Sequence, residues 1–271
     1  MKIALSIAGS DSGGGAGLQA DLKTFHQFGV FGTSVIAAVT AQNTKGVAAW
    51  EPVSQELISR QLDALIQDLP PDGMKSGMLG SAATVSTVAA ALRRIPTKPY
   101  VLDPVLVATS GHTLAADGTA AAVLEHLVPL ATLVTPNLDE AARLTGQEVT
   151  NAEQMERAGR ALLQRGAAAA LVKGGHLTGD AVIDVLVRPE GVRRFLHPRI
   201  PSTSTHGTGC TLSAAITAGL ALGRHLERSV EDGIDFVQRA IAAAPEFGSG
   251  RGPLNHFVPV PRGAPSDLLD G

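Results

Sequence analysis

Disulfides are excluded by arithmetic, because the 271 residues include a single cysteine, Cys210. One thiol can close neither an intrachain bridge nor a multi-cysteine zinc site, and this usage fits a reduced, cytoplasmic setting. Aromatic side chains are scarce. Seven phenylalanines, one tryptophan and one tyrosine are too few for a base-stacking platform. Positive charge is not in excess either: the formal net charge is −3, so nothing draws the chain to nucleic acid. Charged residues make up 17% against 44% hydrophobic, which excludes disorder as the main state and leaves ample material for a core. Long apolar runs are missing as well. The run at residues 3–8 is shorter than the ~7–15 residues of a signal-peptide core, and Asp11 follows closely. The uncharged stretch 207–223 falls short of ~20 apolar residues and contains Thr208, Thr211, Ser213 and Thr217. It predicts a buried helix rather than a membrane span.

What is present alternates. Short apolar runs at 2–8, 33–39, 73–78, 100–102, 132–134 and 168–172 read as strands. Between them lie helical patterns at 16–29, 54–69 (Ser54 as cap), from Ser81 to before Pro96, 138–144 (ending at Gly146) and 151–165 (Asn151 as cap). Residues 181–187 and 192–196 predict an antiparallel hairpin, and helices follow at about 209–222 and 229–244. Strand–helix alternation at this spacing predicts an α/β fold with a mainly parallel sheet. No repeat of 20–50 residues occurs. No linker divides the middle, so 1–257 is expected as one domain and 258–271 as a surface tail.

In parallel α/β sheets, ligands bind beyond the carboxyl ends of the strands. Polar and glycine-rich residues fall at those ends: Ser10 to Gly17, Gln42-Asn43, Lys75 to Met78, Asp103-Pro-Val, Thr135-Pro-Asn137, Lys173 to His176 and His206 to Cys210. The first glycine loop is no Walker loop, since no Gly-Lys-Ser/Thr follows. It reads as a tight strand-to-helix turn or as backbone brought close to a small ligand. Gly207-Thr-Gly-Cys210 opens a helix, where free N–H groups and the dipole favour developing negative charge. In that first turn the pKa of Cys210 is expected to fall. Asp103 suits a Mg²⁺-ordering carboxylate or a turn aspartate. Asn137 and Glu140 stand one helical turn apart, and Asn137 reads equally as an N-cap. Lys173 ends a strand within reach of phosphate oxygens or of solvent. The eight histidines show no zinc spacing.

Taken in order, Ala8 to Asp21, Thr40-Ala-Gln-Asn-Thr44, Leu102-Asp-Pro-Val105, Thr109-Ser-Gly111, Thr135 to Glu140, Val172-Lys-Gly-Gly-His176, Thr205 to Thr211 and Gly252 to Phe257 resemble the hydroxymethylpyrimidine/phosphomethylpyrimidine kinases of thiamine biosynthesis, in the ribokinase-like superfamily. The resemblance covers residues 2–257. It implies a three-layer α/β/α fold, a homodimer, and two ATP-dependent phosphorylations, of 4-amino-5-hydroxymethyl-2-methylpyrimidine and then of its monophosphate. By motif position it implies that Gln42 bonds the pyrimidine edge, with Gly9, Asp21, Met78 and Val105 lining that pocket. It makes Gly207, Thr208 and Gly209 the anion hole and Cys210 the base. Asp103 and Glu140 would organise Mg²⁺, and Asn137, Lys173 and Thr205 would face ATP. The implied partner is a small pyrimidine, with no nucleic acid and no membrane. The chain departs from the pattern at Leu106 (often methionine), Ser76 (Ile or Thr) and Ser204 (often Asn). The alternative is a pyridoxal/pyridoxine kinase or an enzyme accepting both substrates. Those relatives often carry aspartate where Cys210 stands. A non-catalytic pyrimidine sensor is a further rival, opposed by the intact set Asp103, Glu140, Lys173 and Cys210.

Overall fold

A computed structural model of the chain describes residues 1–107, 111, 114–175 and 179–260. Thr109 and Ser110, His176 and the tail beyond residue 260 therefore lie outside the described residues. The strands form one nine-stranded sheet in the order β3-β2-β1-β4-β5-β6-β7-β8-β9. They are β1 (Ile3–Asp11), β2 (Phe31–Asn43), β3 (Gly46–Pro52), β4 (Gly73–Ser76), β5 (Tyr100–Leu102), β6 (Leu133–Val134), β7 (Ala170–Val172), β8 (Ala181–Arg188) and β9 (Gly191–Pro198). From β2 through β7 every neighbouring pair is parallel, while β3, β8 and β9 are antiparallel additions. The predicted α/β class and the mainly parallel sheet hold.

β1 shows why the sheet needs two covering layers. Its side chains alternate between faces. Leu5 and Ile7 enter a core with Ile58 and Leu62 of α2 (Gln55–Asp68) and Val85 and Val88 of α3 (Ala82–Leu92). Ala4 joins the opposite core with Phe25 of α1 (Gly17–Gln27), Ala214 of α7 (Thr208–Ala221) and Phe236 of α8 (Leu226–Ala242). Both faces are buried, so the strand reads as a continuous apolar run. Helix starts follow the sequence signals: Ser54, Ser81 and Asn151 each accept an N–H from the first turn of the helix they cap, and Gly146 ends α5 (Leu138–Thr145) at φ 70°. Asn151 caps α6 (Ala152–Gln164).

Three features depart from the expectation. β1 and β2 run on to Asp11 and Asn43, carrying the polar residues Ser10, Asp11 and Gln42 within strands instead of loops. β3, which no pattern announced, pairs with β2 in a hairpin; it ends in proline and buries only Val47 fully, as suits an edge. Residues 119–130 form a short α4 (Thr119–Ala122) that loosens into a π turn and then a 3₁₀ turn at Pro129, where the backbone donor is lost.

Candidate active site

The carboxyl ends of β1, β4, β5, β6 and β7 deliver Asp11, Ser76 to Met78, Asp103, Thr135 to Asn137 and Lys173 to one edge of the sheet, where a cleft of about 570 Å³ opens. The first glycine loop follows β1. Its amides are already spoken for: the Asp11 carboxylate accepts N–H bonds from Gly13 (2.8 Å), Gly15 (3.0 Å) and Ala16 (2.8 Å), plus a contact from His206 Nε2 at 2.8 Å. Burial opposes the Asp11 charge, but His206 and these amides hold its pKa below the ordinary carboxylate value. With Gly14 N–H bonded to the Asp11 carbonyl as well, the four successive amides of residues 13–16 are turned inward, away from any phosphate.

The second glycine turn differs. Gly207 caps α7 at φ 85°, and a Cβ there would lie 1.9 Å from the Gly15 carbonyl oxygen. Only glycine lets the two loops stack this closely. The first intrahelical bond runs from Thr211 N–H to the Gly207 carbonyl, and Thr208 N–H reaches the Thr205 carbonyl at 3.4 Å. That leaves the Gly209 and Cys210 amides facing the cleft without a partner among the described residues. A Cβ on Gly209 would meet Lys173 Nζ at 3.1 Å. An ammonium group therefore stands over amides that a helix start leaves open, which is the physical definition of an anion site.

Around that site the charges interlock. Lys173 Nζ lies 3.1 Å from Asp103 Oδ1, whose carboxylate also accepts from Thr135 (3.3 Å) and Ser213 (3.1 Å). Burial penalises the Asp103 charge, yet Lys173 and Lys75 outweigh it and keep the carboxyl ionised. Lys173 likewise stays protonated, because Asp103 and Glu140 outweigh its desolvation. Glu140 is the reverse case. Burial, with Asp103 adding to it against Lys173, pushes its carboxyl up to about 7. Asn137 and Glu140 form a reciprocal capping box at the start of α5, with bonds of 2.9 Å and 2.8 Å. The N-cap reading of Asn137 is thus realised, and Asn137, Lys173 and Thr205 all border the cleft.

Gly9, Gln42, Met78 and Val105 also line the cleft, and Gly9 leaves room for the Met78 sulfur, 3.0 Å from where a Cβ would stand. Asp21 does not. It is fully buried beneath the cleft floor, bonded to Lys75 Nζ (2.7 Å) and to Ser6, so its expected place in the pocket wall is corrected. A carboxylate on the sheet-facing side of α1 needs a cation, and the Lys75 of β4 supplies it. The expected fall in the Cys210 pKa is also overturned: burial pushes the thiol up to about 12, with Lys75 opposing and the Asp21 and Asp103 charges reinforcing, although Gly17 N–H bonds the sulfur. Helix-start electrostatics are outweighed by desolvation here. Of the three departures from the motif, Leu106 lines the cleft, while Ser76 bonds the Tyr100 hydroxyl and Ser204 packs against Gly252 away from it. Sequence reading gave no role to Lys75 or His206. A lysine inside an apolar strand was the available signal for the first, since such a group is almost never buried unless paired.

One test of these charges concerns stability. Thr211 Oγ1 lies 3.0 Å from His256 Nε2, and burial drops that imidazole to about 4. An unfolded His256 binds its proton near 6.5, so this group makes the fold gain stability as pH rises from 4 to 6.5. Glu140, raised to about 7, does the opposite between about 4.5 and 7. The two contributions oppose each other. For the nucleotide-free protein, His256→Asn is expected to make stability fall more steeply with pH across this window than in the wild type, and Glu140→Gln to make it rise more steeply than in the wild type. Denaturant midpoints at pH 4.5, 5.5 and 7 check this; parallel profiles in all three proteins would refute it.

The profile of the phosphomethylpyrimidine kinase family matches residues 11–255. The chain is 51% identical over 258 residues to a hydroxymethylpyrimidine/phosphomethylpyrimidine kinase of Rhizobium meliloti, covering 94% of this chain and 97% of that one. In structure it is similar to a phosphomethylpyrimidine kinase of Clostridium difficile, with a TM-score of 0.80 at 40% identity over 89% of this chain and all of the other. It is also similar to an ADP complex of a Bacillus subtilis pyridoxal kinase, with a TM-score of 0.88 at 34% identity over 94% and 97% of the two chains.

Proposed function

The chain belongs to the phosphomethylpyrimidine kinase family, and on that premise we propose that it phosphorylates 4-amino-5-hydroxymethyl-2-methylpyrimidine and then the monophosphate, using ATP. One observation supports this reading above the rest: an open helix start at Gly207 to Cys210, overhung by Lys173, faces a cleft whose wall carries Gln42. Phosphoryl transfer passes through a loose transition state, so the protein mainly positions its reactants and neutralises charge. In this reading the amides of residues 207–210 hold the transferring phosphoryl group and Lys173 balances its oxygens. The Gln42 amide, one donor and one acceptor, matches the complementary edge of an aminopyrimidine. Asn137, Lys173 and Thr205 face the nucleotide. Cys210 sits at the acceptor side and, in its minority thiolate form, takes the hydroxyl proton.

Mg²⁺ fits as a visitor with the nucleotide. The described residues contain no group of three or more His, Cys, Asp or Glu arranged to hold an ion. Asp103 and Glu140 offer two hard oxygen donors, the pairing this ion takes when phosphates and waters complete its shell. When bound it would neutralise phosphate charge; Asp103 is ionised for that task, whereas burial holds the Glu140 carboxyl up at about 7, where it is only partly ionised.

The comparison with a pyridoxal kinase keeps a second reading in view, a side activity on pyridoxal. In ATP-dependent turnover, the hydroxymethylpyrimidine is expected to beat pyridoxal by at least ~10-fold in kcat/KM, roughly 1.4 kcal/mol of discrimination. Equal or better use of pyridoxal would reject the first reading. Gln42→Leu should weaken pyrimidine use far more than nucleotide binding. A crystal with an ATP analogue should seat the terminal phosphate on the amides of residues 207–210; finding it on residues 13–17 would reject the anion-site assignment. The same family reading carries a cytoplasmic homodimer. β2 and α2 leave Ile36, Val39 and Leu57 exposed, apolar area that a second copy would cover. No helix among the described residues is long and apolar enough to cross a membrane.

A further inference from the structure

The Gln42 amide sits in a hydrogen-bond chain whose direction can be worked out. At one end, the Asp11 carboxylate only accepts, and His206 Nε2 lies 2.8 Å from its Oδ2. That nitrogen must carry the proton, in the neutral ring or the charged one alike. At the other end, Thr40 Oγ1 has one proton and gives it to the Ser10 carbonyl at 2.8 Å. Gln42 lies between. With its nitrogen 3.2 Å from His206 Nε2 and its oxygen 3.3 Å from Thr40 Oγ1, the amide sets donor against donor on one side and acceptor against acceptor on the other. Turning the amide end over repairs both contacts at once. His206 N–H then shares its proton with the Gln42 oxygen, and the Gln42 nitrogen donates to Thr40. Side-chain amide oxygen and nitrogen are distinguished only by such reasoning. The backbone cannot swing to escape it, because Ser12 Oγ pins both the Gln42 N–H (2.8 Å) and its carbonyl (2.7 Å).

We infer that Asp11, His206 and Thr40 are positioning residues that lock the Gln42 amide with its oxygen toward His206 and its nitrogen toward Thr40, and thereby set which ring edge the cleft selects. The inference rests on the pyrimidine-kinase reading and deepens it. The locked amide presents an acceptor on the side where His206 runs into Gly207 and a donor on the side of Thr40. A 4-aminopyrimidine fits one way only: its amino group toward His206 and its ring nitrogen toward Thr40. The hydroxymethyl group is the next substituent beyond the amino group. This pose therefore directs the acceptor oxygen toward the 207–210 turn, where the Gly209 and Cys210 amides are open. The reversed amide would direct it away from them. The assignment drawn from protons alone thus agrees with the place of the anion site.

The test uses a substrate with the opposite edge. The 4-oxo analogue, 5-hydroxymethyl-2-methylpyrimidin-4-one, offers a ring N–H donor beside a carbonyl acceptor. The full-length enzyme with ATP should prefer the amino compound by at least ~100-fold in kcat/KM, the scale set by buried groups left mispaired. His206→Leu removes one lock and Thr40→Val, nearly isosteric, removes the other. Either variant frees the amide to turn, so the preference is expected to shrink to about 10-fold or less. The readout is the ratio between the two substrates, which a general loss of structure would not move. KM for ATP, measured alongside, should change less than the ratio does. If His206→Leu fails to fold, Thr40→Val decides alone. A preference that stays above ~100-fold in the folded variants would overturn the lock while leaving the kinase reading standing. A wild-type enzyme that uses the two pyrimidines equally would also overturn it. A wild-type enzyme that phosphorylates neither would overturn both the lock and the reading beneath it.

Discussion

Cys210→Ala is expected to slow phosphorylation of the alcohol by roughly 10²–10⁴-fold, the range of general-base catalysis. Phosphorylation of the monophosphate should slow much less, because its acceptor oxygen is already ionised near neutral pH. The raised thiol adds a second signature. With the Cys210 pKa at about 12, the thiolate is a small minority at pH 7 and grows tenfold with each pH unit. The alcohol step should therefore accelerate between pH 7 and 9 in the wild type, while the monophosphate step stays flatter. Cys210→Asp should rescue part of the alcohol step and flatten that pH dependence, since a carboxylate ionises at a much lower pH than this thiol. Single-turnover rates on the two acceptors, at fixed nucleotide and several pH values, check all three outcomes. Parallel losses on both acceptors with unchanged pH profiles would make Cys210 a packing residue and leave the chemistry to the backbone amides and Lys173.

Lys75→Met is expected to destabilise the fold by ~3–5 kcal/mol, the toll of leaving a buried charge without its partner. Lys75 and Asp21 are both fully buried and 2.7 Å apart. Burial already raises the Asp21 carboxyl above the ordinary value, and Lys75 is the chief influence holding it down. Without that ammonium, Asp21 takes up a proton in the fold. A folded pKa above the unfolded one means stability present at low pH and lost as pH rises. The single variant should accordingly be closer to wild type at pH 5 than at pH 8. The double variant Lys75→Met/Asp21→Leu should recover most of the loss, because two apolar groups of similar volume replace the pair. Urea midpoints at both pH values measure this. A double variant no more stable than Lys75→Met would show that the lysine contributes through its packing rather than its charge.

Much of this molecule is written locally, and local signals were readable. Apolar runs at strand spacing gave β1, β2 and β4 to β7, and the caps Ser54, Ser81, Asn137 and Asn151 marked helix starts because their side chains bond amides three residues on. A parallel sheet then forces strand ends to one edge, so the gathering of Asp103, Asn137, Lys173 and Cys210 around one cleft followed from the alternation and the motifs together. β3 was not readable, since an edge strand half open to solvent need not show a buried alternation.

Tertiary structure decided what depends on atoms far apart in sequence. Asp21 looked like a pocket residue and is instead the partner of Lys75, 54 positions away. The first glycine loop resembled a ligand loop, but Asp11 occupies its amides, and the loop serves as the platform on which Gly207 stacks. Cys210 stands at a helix start, where sequence alone lowers a thiol, yet desolvation and two carboxylates raise it. In each case the deciding term is electrostatic or steric contact across the interior. Sequence supplies the groups and their local geometry. Burial and partners, which set a group's charge and reach, exist only once the sheet and its two helical layers have closed.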